Sequence, residues 1–144
     1  MLYSYYRLDQ AVAAGAEYAA LNAANVNATQ GAALATAIAT AVESANGTAW
    51  ANDTVVMNDG PSETVSNGKA MSGGTAANAN DYYCLTGSPP NWSWGTGYTS
   101  QQSCGGGAGK FVTVTASYNY VPLLKIYGFL VNTTLKQNAA IQVQ

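Results

Sequence analysis

Residues 104–120 read CGGGAGKFVTVTASYNY, and two folds compete for them. A phosphate loop, G-x-x-x-x-G-K-[ST] leading into a helix, makes a nucleotide-binding α/β domain, since backbone N–H groups must wrap the phosphates and a hydroxyl must hold magnesium. A glycine turn leading into a strand makes an antiparallel sheet instead. Counting back from Gly109-Lys110, the first glycine of the motif falls on Cys104, and Phe111 stands where the hydroxyl belongs. The residues that follow alternate with the period of a strand, not a helix. Val112, Val114, Ala116, Tyr118 and Tyr120 share one face, and Thr113, Thr115, Ser117 and Asn119 share the other. The turn reading wins, and Pro122 ends the strand.

Working outward, TLKQNAAIQVQ (134–144) repeats the alternation. Leu135, Gln137, Ala139, Ile141 and Val143 point one way, and Lys136, Asn138, Gln142 and Gln144 the other. PLLKIYGFL (122–130) is read as a compact apolar connector with one helical turn. Upstream, TAWANDTVVM (48–57) and DYYCLT (81–86) are read as further strands. The turn-rich stretch 58–80 between them leaves room for a short strand at Glu63–Val65. Before all of this the chain is helical. Tyr5, Leu8, Val12, Ala16, Ala19 and Ala23 recur at spacings of three and four within 2–25, opposite Arg7, Gln10, Glu17 and Asn25. A second helix follows the break at NVNAT, with Thr29 as its N-cap, a stripe of Leu34, Ile38, Ala41, Val42 and Ala45, and Asn46-Gly47 as its stop. The expected fold class is therefore α+β in a single domain, 1–144. A helical part (1–47) carries a long N-terminal α-helix and a second helix, packed on an antiparallel sheet of about four strands in 48–144.

Composition restricts function. Charged residues make up 8% of the chain, against about 25% in ordinary soluble domains. The formal net charge of -2 leaves no basic footprint for nucleic acid. There is no histidine, which removes the commonest general base and metal ligand, so no cofactor and no metal are expected. The seven carboxylates are scattered. Asp53 and Asp59 could meet across a turn, as glycosidase carboxylates or calcium ligands do, but isolated loop carboxylates are more often simply solvated. The expectation is no enzyme. The N-x-[ST] triplets at Asn27, Asn46, Asn52, Asn91 and Asn132 follow from the abundance of Asn and Thr.

Cys84 and Cys104 bracket an irregular loop, LTGSPPNWSWGTGYTSQQS. A disulfide between them would staple it; two separate buried thiols are the alternative. A disulfide implies an oxidising compartment, yet MLYSYYRLDQ shows no basic n-region and apolar h-region. The two agree if an export segment precedes Leu2 and Met1 replaces it here. Within the loop, Trp92 and Trp94 are two apart, with Tyr98 nearby. They either dock a sugar ring or partner subunit or fold back over the sheet.

The opening YSYYRLDQAVAAGAEYAAL and the closing FVTVTASYNYVPLL and NTTLKQNAAIQVQ together resemble the TadE/TadG-like proteins of the tight-adherence (Flp) pilus system. The resemblance covers both ends, about half the chain, and implies a pilin-like fold and a structural role as a minor pilin or pseudopilin in assembly and adhesion. It further implies an apolar membrane helix running into residues 2–25, and a location anchored in the inner membrane, periplasmic, or on the cell surface. Other pilin subunits or pilus assembly proteins are the implied partners. Tyr3, Tyr6, Ala13 and Ala20 are then the candidate assembly face, small residues permitting close helix approach; alanines that merely favour helix on a solvated face are the alternative. A free-standing secreted module binding carbohydrate or protein through Trp92, Trp94 and Tyr98 is the second expectation.

Overall fold

The computed structural model describes residues 1–122 and 133–144. Helices α1 (Leu2–Leu21) and α2 (Gly31–Glu43) precede seven strands: β1 (Asn52–Met57), β2 (Ser62–Ser66), β3 (Lys69–Gly73), β4 (Thr86–Ser88), β5 (Asn91–Ser93), β6 (Phe111–Tyr120) and β7 (Thr133–Gln142). Five of them form one sheet in the order β3–β2–β1–β6–β7, with every neighbouring pair antiparallel. The fold is α+β: α1 lies over β6 and β7, α2 over β1 and β2, and the helices touch each other.

The alternation in 111–120 sorts its residues as the period requires. Val112, Val114 and Ala116 are buried against the helices, opposite Ile141, Ala139 and Gln137 of β7. The other face is a polar, uncharged row in which Thr64, Thr54, Thr115 and Asn138 stand side by side across four strands. One face is covered by the helices, and the other carries this half-buried polar row, with Thr113 buried beside it.

The sheet has five strands rather than four because 58–80 holds two, not a loop with a fragment. Asn67 and Gly68, both at positive φ (51° and 73°), make the turn that joins β2 to β3. Asn-Gly suits this turn because both central residues of a type I′ hairpin must be left-handed. The Asn52 side chain holds the turn by accepting from the Asn67 N–H at 2.8 Å. DYYCLT, by contrast, is not a strand. Tyr82 and Tyr83 make only isolated bridges, to Tyr98 and Gly109, because the segment crosses the end of the sheet rather than extending a ladder. The connector 123–130 lies outside the described residues.

The helical stripes also shift. α1 buries Leu8, Ala11, Val12, Gly15, Ala16 and Ala19. Tyr5 lies outside that face and is 46% exposed, and Ala23 falls in a separate 3-10 turn. A Cβ at Gly15 would stand 3.0 Å from Val42 Cγ2 and 3.1 Å from Ile38 Cγ2, so glycine there sets how closely α1 and α2 approach. On α2 the buried face is Leu34, Ala35, Ile38, Ala39 and Val42, while Ala41 and Ala45 are exposed. The helix starts without a side-chain cap from Thr29. Instead Asn27 Oδ1 accepts from the N–H groups of Thr29 and Gln30 at 2.9 and 2.8 Å, pre-forming the first turn.

α1 runs the length of the sheet. Met1, Leu2 and Tyr5 line an apolar groove of about 310 Å³ with Leu135 at one end. At the other end the backbone carbonyl of Val26 accepts from Lys110 Nζ at 3.3 Å.

Candidate functional site

Three regions answer to the residues singled out by sequence. The glycine stretch comes first. Lys110 is 9% exposed, donates to Val26 and stands 5.7 Å from the centre of the Tyr82 ring. Burial pushes its pKa down, with Asp81 pulling it partly back. A lysine so committed ties the sheet to the end of the helical layer and has no hydroxyl partner for phosphate chemistry.

The stapled loop is second. Cys84 and Cys104 are bonded. The bond closes a segment whose only regular structure is the β4–β5 hairpin, the single turn at Ser103–Gly106 and the bridge between Tyr82 and Tyr98. The loop's aromatics do not act as one platform. Trp94 turns back onto the buried Tyr83, ring centres 5.8 Å apart and nearly perpendicular, an edge-to-face contact. Tyr98 is 39% exposed. Trp92 sits half-buried on β5, and its indole N–H is buried without a partner among the described residues.

The outer surface of the helical layer is third. Ala13 and Ala20 are exposed on α1, as are Tyr3 and Tyr6 in its first turns. The tyrosines are held along the helix surface: Arg7 Nε donates to the Tyr3 hydroxyl at 2.9 Å and Gln10 to the Tyr6 hydroxyl at 2.9 Å. Leu2 and Leu21 are also exposed, at 83% and 79%. Between Gln10 and Val42 the only charged residue is Glu17. The outward face of α1 and α2 is therefore rich in alanine and threonine, with exposed tyrosines in the first turns of α1 and Tyr18 and Leu21 exposed at its other end.

A fourth region contains Asp53 in surroundings that the sequence reading did not anticipate. Asp53, Glu63 and Glu43 are buried between the sheet and α2, at 4%, 2% and 8% exposure. Glu43 accepts from the Ala49 N–H at 2.6 Å, and Glu63 accepts from Ser72 at 2.6 Å and Thr36 at 3.2 Å. Among the described residues Asp53 accepts from no donor through either oxygen. The Asp53–Asp59 pair does not form, because the two residues stand at opposite ends of β1, with Asp59 in the turn beyond Met57. Asp53 is not a solvated loop carboxylate either. The signal that could have exposed it is its place in the alternation Asp53, Val55, Met57, the buried series of β1.

Among the described residues no group of three His, Cys, Asp or Glu is arranged to hold a metal, and no helix is long and apolar enough to cross a membrane. The chain matches no family model, no curated protein and no solved structure.

Proposed function

We propose that this chain is a structural component of a bacterial pilus, pilin-like in fold and of the minor-pilin or pseudopilin kind met in TadE/TadG-like proteins. The observation that carries the proposal is the outward face of the helical layer. An ordinary solvated helix pair carries charges on its free face, whereas here Glu17 is the only charged residue between Gln10 and Val42. Such a face suits close packing against another helix better than it suits water. The exposed Leu2, Tyr3 and Tyr6 end matches the aromatic boundary of a membrane helix continuing on the N-terminal side.

In this role α1 meets neighbouring pilin subunits or assembly proteins, and the sheet and stapled loop are displayed outward for adhesion. The disulfide supports a position on the oxidising side of the membrane. No catalysis is asked of it. The test is Ala13→Glu with Ala20→Glu in the full-length protein. Incorporation into the pilus should be lost while the domain stays folded. Normal incorporation refutes the proposal, and so does unfolding of the isolated domain.

Trp92 supports a second reading, a secreted module that binds carbohydrate. The half-buried indole of Trp92, on a hairpin closed off by the disulfide, offers part of its ring face for a sugar to stack on. Trp92→Ala abolishes glycan binding on this reading and leaves pilus incorporation untouched.

A further inference from the structure

Asp53 faces α2 from the second position of β1, between Val65 of β2 and Ala116 of β6. Burying an ionised carboxylate without a partner is among the costliest arrangements a fold can contain. Among the described residues a proton is what is left to neutralise it. No donor among them bonds either oxygen at good geometry. The charged groups facing it are Glu43 from α2 and Glu63 from β2, both negative. The segment 44–51 and the neighbouring Ala116 bring no charge. Lys69 and Lys136 pair with Ser66 and Ser117, on the opposite face of the sheet. The carboxylates are not arranged as metal ligands.

We propose that Asp53 is a proton-operated latch: with its proton it seals the junction of α2 with β1 and β2, and without it three like charges loosen that junction. The junction has few and local ties. The last turn of α2 is held to the following segment through Glu43 and Ala49, an alanine at φ 55°. The β2–β3 turn at Gly68 touches Ala49 from the other side. Burial, reinforced by Glu43 and Glu63, raises the Asp53 pKa from 3.8 to about 7, with nearby amides of Val65 and Glu43 lowering it somewhat without bonding the oxygens at good geometry.

The sign follows from proton linkage. Between the unfolded value and the folded one, the folded state holds a proton that the unfolded state has released. Stability is greatest in acid, falls as pH rises through that window, and levels off above about 7. The folding constant of the native protein should fall relative to that of Asp53→Asn by up to about tenfold per pH unit in the window.

Urea unfolding of both proteins from pH 4.5 to 8 reads this difference, and parallel curves overturn the latch. If Asp53→Asn does not fold, side-chain carboxyl NMR of the native protein decides: titration near neutrality supports the latch, and titration in the ordinary aspartate range refutes it. Hydrogen exchange corrected for intrinsic rates tests the locality. Protection should drop above pH 7 in the last turn of α2 and in β2 while β6 and β7 hold. A drop spread evenly over the sheet makes Asp53 a general liability and removes the latch.

Discussion

Under α1, strands β6 and β7 offer Val112, Val114, Ala116, Leu135 and Ala139 to a helix face of Leu8, Ala11, Val12 and Ala19. Under α2, strands β1 and β2 offer Val55, Met57 and Val65, but Asp53 and Glu63 stand in the same rows, facing Glu43. Both halves belong to one sheet with one helical cover, and they are closed by different physics. The first is held by apolar burial and close packing, which depend little on pH. The second adds charges whose cost varies with every proton gained or lost. One continuous core can therefore contain a part that is indifferent to its medium and a part that responds to it.

The largest effect should come from emptying the indifferent half. Leu8, fully buried, is the test: Leu8→Ala should destabilise the domain by about 2–5 kcal/mol at every pH, through lost transfer energy and an unfilled cavity. A cost that changed with pH would break the contrast. Next is the staple, which belongs to neither half. Cys84→Ser with Cys104→Ser frees a loop whose ends are 20 residues apart and should cost about 3 kcal/mol. Denaturant melts of the oxidised and mutant proteins measure it, and two alkylatable thiols in the native protein would exclude the bond.

The responsive half predicts a change of opposite sign. At pH 8 Asp53→Asn should gain about 1–3 kcal/mol, because the buried charge is gone, and at pH 4 the gain should vanish. A loss at pH 8 would mean that the carboxylate is stabilising and that the two halves do not differ in kind. The smallest effect belongs to the surface outside both. Ala13→Glu with Ala20→Glu should move stability by no more than about 0.5 kcal/mol, as exposed substitutions do, since both sites are exposed. Self-association measured by sedimentation should fall in the same mutant.

The indifferent half was the part legible in sequence. Its two strands alternate over ten residues each, and a period sustained that long fixes the faces of the sheet. α1 was legible in its middle, where Leu8, Val12, Ala16 and Ala19 carry the stripe. It was misread at its ends because Tyr5 continues the spacing into an open groove beside Leu135, and Ala23 continues it after the helix has ended. β3 escaped because none of its five residues is buried, so it has no period to read; the Asn67-Gly68 turn was the available sign. DYYCLT misled through aromatic β-propensity, which describes how a residue fits a pleated surface and not whether a neighbouring strand is there. The burial of Asp53 was readable only as its place in the alternation with Val55 and Met57, while its company of Glu43 and Glu63 depends on α2 covering β1 and β2. The disulfide pairing was legible because no other cysteine exists.

The length of α1 along the sheet has a mechanical consequence. Its start lies beside Leu135, while Gln144 closes the opposite end by accepting from the Lys110 N–H at 2.9 Å. Tension applied between the two termini therefore enters the domain at opposite poles. It must slide α1 along β6 and β7, breaking a seam about 30 Å long nearly all at once, rather than peel it one residue at a time. A subunit tethered at one pole and gripping at the other would meet traction in its stiffest direction.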